Sequence, residues 1–248
     1  MSGTGSRLIQ ENALKTFRHA GLLLTLLLLV MVVAFFKSYL AMLKEFPERL
    51  TWMLHVHGAL MAGWLAMLSA QAWFVRSGRM NLHRLVGRAS YIYLPVTILS
   101  GVVTMQGAIM RAADGVTTEI ARDAVFQHMM LLSLAISWGL AIAYRRQPAL
   151  HIRFMVSTAF AIGTTIFFRI FFFWVPGFDT FDAAAGGNFV VLGLMLGALL
   201  ANDWRLGVRR SPFWVITVLI GVQYFCYRVV APMEVWIDYC NWLAGHAA

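Results

Sequence analysis

Charged residues are scarce in this chain. They make up only 12% of the 248 residues, whereas hydrophobic residues make up 60%, and the mean hydropathy is +0.71. A soluble domain carries about 25% charged and about 45–50% apolar residues. This balance excludes an ordinary soluble globular protein and predicts an integral membrane protein.

Cysteine is also scarce, since the sequence contains only Cys226 and Cys240. Two cysteines allow one disulfide at most, which excludes a fold held together by several bridges. No CxxCH motif is present, so the sequence does not indicate covalently attached haem. We expect Cys226, which lies within an apolar run, to be a buried and unreactive thiol.

Long polar linkers are missing as well, so we expect residues 1–248 to form a single membrane domain. A helix needs about 20 apolar residues to cross a bilayer, and its backbone amides bond within the segment. Seven apolar runs lie near residues 20–36, 52–75, 89–110, 124–144, 154–175, 188–201 and 213–232. They predict an all-α bundle of seven transmembrane helices with a short sixth helix. The aromatic residues of 233–248 predict a tail in the membrane interface.

Lysine and arginine are distributed unequally over the two ends of these runs. One set of ends collects most of them and the other set holds most of the acids. The positive-inside rule then predicts that the N-terminus is inside and the C-terminus outside. The net charge of +9 is spread over several short segments, which argues against a nucleic-acid partner.

Five histidines lie close to the starts of the second to fifth predicted helices. His55, His57 and His128 fall in the first turns of the second and fourth helices, on the predicted outside. His83 and His151 shortly precede the third and fifth helices, on the predicted inside. The order predicts an outer pair from helices two and four and an inner pair from helices three and five.

Paired imidazoles have a chemical use in a membrane. A histidine near a helix N-terminus is biased toward its neutral form, which offers a lone pair to a metal. Two facing histidines fill both axial positions of a haem iron, and nearby arginines pair with the haem carboxylates. We therefore expect Arg84, Arg88 and Arg153 to contact a haem beside His83 and His151. The alternative is that these histidines only cap helices and that topology alone explains the arginines.

His57 is the better outer candidate, because His55 lies roughly 200° around the helix from it. From the predicted helix starts, His57 and His128 differ in depth by only about 1.5 Å. The sequence therefore predicts that they share one haem or metal.

Arg169 and Arg228 lie inside apolar runs near the predicted outer face. A lipid-facing arginine is costly, so each is expected to face the bundle and find an anion. Asp179, Asp182 and Glu234 are the nearest acids, and a haem carboxylate, a quinone oxygen or an anionic substrate is the alternative.

The residues carry two resemblances. The run "HGALMAGWLAMLSAQAWFVRSGRMNLHRLVGRASYIYLPVTILSG", the later "HIRFM" and Arg169 resemble a family of bacterial predicted membrane proteins of unknown function with an HRxxGR motif. The order of His57, His83, His128 and His151 resembles that of transmembrane dihaem b-type cytochromes of the ascorbate-reducible class. This second resemblance implies two haems, one held by the second and fourth helices and the other by the third and fifth.

The sequence thus favours a membrane redox protein that carries haem b and exchanges electrons with a quinone or a partner redox subunit. If it is an enzyme, this function makes it an oxidoreductase. One alternative is a copper-binding or iron-binding protein of metal handling or oxidase assembly, in which Met61, Met129 and Met130 add soft ligands. Another alternative is a small anion or lipid transporter subunit.

Overall fold

The computed structural model describes residues 17–45, 51–112, 115–209 and 211–245. Within these ranges the chain is helical and contains no strand. Seven helices are long and apolar enough to cross a membrane, as the sequence predicts, and the chain is an integral membrane protein. They are α1 (Ala20–Lys44), α2 (Trp52–Arg76), α3 (Met80–Met110), α4 (Thr118–Ala143), α5 (Pro148–Trp174), α6 (Phe181–Arg205) and α7 (Phe213–Val230). A 3₁₀ turn, Phe17–His19, precedes α1, and a further helix, α8 (Glu234–Ala244), follows α7.

Local signals set several of the helix starts. Thr51, Thr117 and Thr180 precede α2, α4 and α6, and each threonine hydroxyl accepts a hydrogen bond from the backbone N–H three residues later. Such N-caps satisfy one of the free amides of a first helical turn. Pro148 occupies the first turn of α5, where its missing N–H costs nothing.

The predicted starts of helices three to six were too late. α3, α4, α5 and α6 begin at Met80, Thr118, Pro148 and Phe181, and α6 has 25 residues rather than being short. The apolar runs mark only the part of each helix with hydrocarbon-like composition. The i to i−4 hydrogen bonds continue through polar first turns such as "NLHR", which hydropathy alone does not detect.

The helices form one bundle with α5 at its centre. α2 packs on α3, α3 on α4 and α4 on α5, while α1 covers α2 and α5. α6 and α7 complete the other side of α5. The core contains Trp64, Leu65, Leu94, Leu134, Ile162 and Ile166, whereas many leucines and valines of α1 are exposed on the outside of the bundle.

Consecutive helices alternate in direction, so the bundle has two distinct ends. We call the end where α2, α4 and α6 finish and α3, α5 and α7 start the basic end, since it carries Arg76, Arg145 and Arg205. The opposite end, which includes Asp123 and Asp182, is the acidic end.

The tail after α7 forms α8 at the acidic end. The Trp236 indole donates to the Ala121 carbonyl at 3.0 Å, and Asn241 accepts from the Val116 amide at 2.8 Å. Cys240 is the buried residue of α8, and desolvation raises the pKa of its thiol to about 11. Cys226 is also free but only half-buried, less enclosed than predicted.

Candidate functional site

His83 and His151 lie together at the basic end. Their ring centroids are 6.5 Å apart and the ring planes are perpendicular. Each is the fourth residue of its helix, α3 or α5, rather than preceding it as predicted. Their backbone amides already bond to Arg79 and Gln147, so both imidazoles are held on rigid helical turns.

The hydrogen bonds of this pair define where its protons lie. His151 Nδ1 is 2.8 Å from the Ala141 carbonyl, which can only accept, so Nδ1 donates and Nε2 is the nitrogen that could bind a metal. Metal-binding histidines are oriented in the same way. His83 Nδ1 is buried and has no hydrogen-bond partner among the described residues. The Gln71 backbone carbonyl acts on the His83 ring without completing a hydrogen bond of normal geometry to Nδ1, so this nitrogen keeps bonding capacity that a ligand could use.

The three predicted arginines at this end have different surroundings. Arg84 and Arg88 are exposed, and the charge of Arg84 acts on the His83 ring. Arg153 is only 1% exposed and forms two hydrogen bonds to Asp203, at 2.8 and 2.6 Å. Its third nitrogen donates to the Ala149 carbonyl. The structure therefore brings Arg153 to an acid of α6 rather than to the histidines.

His57 is held by α3 near the acidic end. Its Nδ1 is 3.0 Å from Ser100 Oγ, and that hydroxyl donates to the Thr97 carbonyl at 2.7 Å. Ser100 therefore accepts from His57 Nδ1–H, which leaves Nε2 unprotonated. A Cβ at Gly101 would lie 3.0 Å from the ring, so glycine provides the room for the imidazole. His55, by contrast, bonds to Tyr39 of α1 and faces elsewhere, as predicted.

None of the contacts described for His128 involves the His57 ring. His128 Nδ1 donates to the Ala124 carbonyl at 2.7 Å, and its ring packs edge-on against Trp236, 6.1 Å away. A Cβ at Gly101 would approach both the His57 ring and Leu131, and Leu131 is three residues, or about 4.5 Å of helix, beyond His128. The equal depth expected from the sequence depended on starting helix four at 124, whereas α4 starts at Thr118.

Arg169 lies at a cavity of about 160 Å³ near the acidic end. The cavity is lined by Ser38, Asp123, Phe168, Arg169, Phe172, Phe173 and Phe181. None of the three acids expected from the sequence lines it. Instead, Asp123 interacts electrostatically with Arg169. The predicted fourth helix begins at residue 124, which leaves Asp123 outside it, whereas α4 includes Asp123.

Arg228 pairs with one of the expected acids. Its guanidinium is 3.2 Å from Asp182, and the same carboxylate oxygen binds Arg122 at 3.1 Å and accepts from the Tyr227 hydroxyl at 3.1 Å. This cluster joins α4, α6 and α7 at the acidic end. Arg228 is therefore explained by structural pairing.

No protein-family model, curated protein or solved structure matches this chain. The two resemblances drawn from its motifs therefore stay expectations. The site is interpreted from its own geometry and chemistry.

The donor set at the basic end consists of two histidines, the number that a haem iron would need from the protein. His83 and His151, whose ring centroids are 6.5 Å apart in an edge-on arrangement, are the residues that would hold the iron. A porphyrin supplies the other four nitrogens, so two histidines are sufficient. In the described ranges, no group of three or more His, Cys, Asp or Glu could hold a metal ion. Met61 and Met130 are buried in the apolar core.

Proposed function

We propose that this chain is a membrane redox protein that binds b-type haem between His83 and His151. The observation that carries the proposal is this pair of perpendicular rings, 6.5 Å apart, with one orphaned buried nitrogen. When bound, haem supplies one-electron transfer, and the protein tunes it through ligands, hydrogen bonds and burial.

The residues of the chain would serve this cofactor in distinct ways. The Ala141 carbonyl fixes the orientation of His151, and Gln71 donates to the His83 carbonyl at 3.0 Å, which ties α2 to the turn that carries His83. The exposed Arg84 and Arg88 are suited to pair with the haem carboxylates. His57 and His128 remain candidates for a second haem, which each would bind through Nε2 because each Nδ1 is already hydrogen-bonded.

The haem proposal makes a direct spectroscopic prediction. We expect the detergent-purified protein to show a Soret band and reduced α and β bands, and His83→Ala or His151→Ala each to remove at least about 90% of the basic-end haem, because one axial ligand is lost. His55→Ala is the matched control and should keep full occupancy, since it bonds to Tyr39. A pyridine haemochrome assay gives haem per chain.

The stoichiometry separates the two pairs. One haem per chain, lost in the His83 variant and kept in His57→Ala, assigns haem to the basic end alone. Two haems per chain, with one lost in His57→Ala and also in His128→Ala, would support the predicted second haem between His57 and His128. Colourless protein from haem-replete cells would contradict the proposal, and stoichiometric copper or iron in that protein would support the metal-handling alternative.

We further propose that the basic end faces the cytoplasm of a bacterial inner-membrane protein. Its support is the concentration of arginine on the short segments that join helices at this end, including Arg145 and Arg146. A phosphatase fusion after Gly177 should be active and one after Arg146 inactive, with the opposite pattern for a fluorescent-protein fusion. Equal behaviour at both positions would refute the orientation.

A further inference from the structure

The cavity at the acidic end contains both signs of charge. Asp123 and Arg169 line it from α4 and α5 and interact electrostatically. Since one positive and one negative group share the cavity, it offers no net charge to a ligand. A free anion or cation would gain from one group and be repelled by the other, so the cavity favours a neutral molecule.

The polar groups of the cavity include both donors and acceptors. Arg169 uses one N–H in a long bond to the Thr165 carbonyl, 3.4 Å, which leaves other guanidinium N–H groups for a ligand. Ser38 Oγ is buried and lacks a partner among the described residues. Asp123 accepts from Gln127 at 3.3 Å, and a carboxylate has further lone pairs. A ligand with ring oxygens matches this set.

The remaining walls are aromatic. They are formed by four half-buried phenylalanines, Phe168, Phe172, Phe173 and Phe181. The volume of about 160 Å³ is close to that of an engineered apolar cavity of about 150 Å³ that holds benzene. A single six-membered ring therefore fits between the phenylalanines.

We propose that this cavity binds the head group of a membrane quinone or quinol. Arg169 and Ser38 donate hydrogen bonds to a quinone carbonyl, and Asp123 accepts one from a quinol hydroxyl. The choice of a quinone among neutral ring compounds rests on the redox function proposed above, whereas the binding itself depends only on the cavity. Arg169 also interacts electrostatically with His57, the histidine held by α3.

The test uses the whole detergent-purified chain and decylubiquinone as the probe, with binding followed by quenching of tryptophan fluorescence. We expect saturable binding that weakens at least about tenfold in Asp123→Asn and in Arg169→Gln, because each loses a charge-assisted hydrogen bond. Ser38→Phe fills the cavity while keeping both charges, and it should abolish saturable binding. Arg122→Gln is the neighbouring control and should bind within about twofold of wild type.

Two further probes define the ligand class. Decylbenzene has a similar ring and tail but no oxygens, and it should bind at least about tenfold more weakly. Benzoate is an anionic ring, and preferential binding of benzoate would overturn the assignment to a neutral quinone. Absence of saturable decylubiquinone binding, or binding unchanged by Ser38→Phe in a folded variant, would also overturn it.

The cavity proposal and the haem proposal can be refuted independently of each other. His83→Ala removes the proposed haem ligand at the other end of the bundle and should leave quinone binding intact. Colourless protein that still binds decylubiquinone would refute only the haem proposal. Red protein that does not bind it would refute only the cavity proposal.

Discussion

Replacing Arg153 with alanine should lower the free energy of unfolding by about 3–5 kcal/mol, the usual cost of removing one partner of a buried ion pair. Arg153 and Asp203 are each only 1% exposed, and Ser211 also donates to Asp203 at 2.6 Å. Without the guanidinium, the buried Asp203 carboxylate loses its positive partner and keeps only the neutral Ser211 hydroxyl as a donor. The measurement is SDS-induced unfolding in mixed micelles.

Two comparisons make this test specific. Asp182→Ala breaks an ion cluster whose carboxylate is 45% exposed, and it should cost no more than about 1 kcal/mol because solvent screens such pairs. The double variant Arg153→Met with Asp203→Leu should recover most of the lost stability, since no buried charge remains. A single Arg153 variant as stable as wild type would show that the pair does not hold α5 to α6.

Trp64→Ala should be comparably destabilising, by about 3–5 kcal/mol, because it empties a large volume in the core. Trp64 is 1% exposed, stacks on Tyr93 at 6.5 Å and donates to Thr158 Oγ1 at 3.3 Å. The indole thus links α2 to α3 and α5. Thermal unfolding in detergent, followed by circular dichroism, reports the loss.

Conservative and exposed substitutions provide the controls for this core site. Trp64→Phe keeps most of the volume and loses the hydrogen bond, so it should cost about 1 kcal/mol. Trp52 is 69% exposed, and Trp52→Ala should change stability by no more than about 0.5 kcal/mol. A smaller loss for Trp64→Ala than for Trp52→Ala would contradict the packing described for α2.

The helices were predictable because hydropathy reports the chemistry of the bilayer directly. All seven predicted apolar runs correspond to helices in the structure. Their starts were less predictable, since polar first turns such as the one that carries His83 are helical through backbone bonding. For α4 the start was predicted at residue 124 instead of Thr118, which left Asp123 outside the helix and hid its approach to Arg169.

The candidate site was predictable only where sequence order sets geometry. His83 and His151 occupy the same position in α3 and α5, and the structure places their rings together. His57 and His128 were expected to meet from depth alone, but depth does not define the direction in which a ring points. Arg153 was assigned by proximity in sequence to His151, whereas its partner, Asp203, lies 50 residues away.

The opposite charges of Asp123 and Arg169 also determine how the membrane potential acts on their cavity. A single charge that moves across the full potential changes free energy by about 2.3 kcal/mol per 100 mV. Here a negative and a positive group line the same small volume, so the field pulls them in opposite directions and its net electrical work nearly cancels. Entry of a neutral ring then moves no net charge through the field, and occupancy of the cavity stays independent of whether the cell is energised.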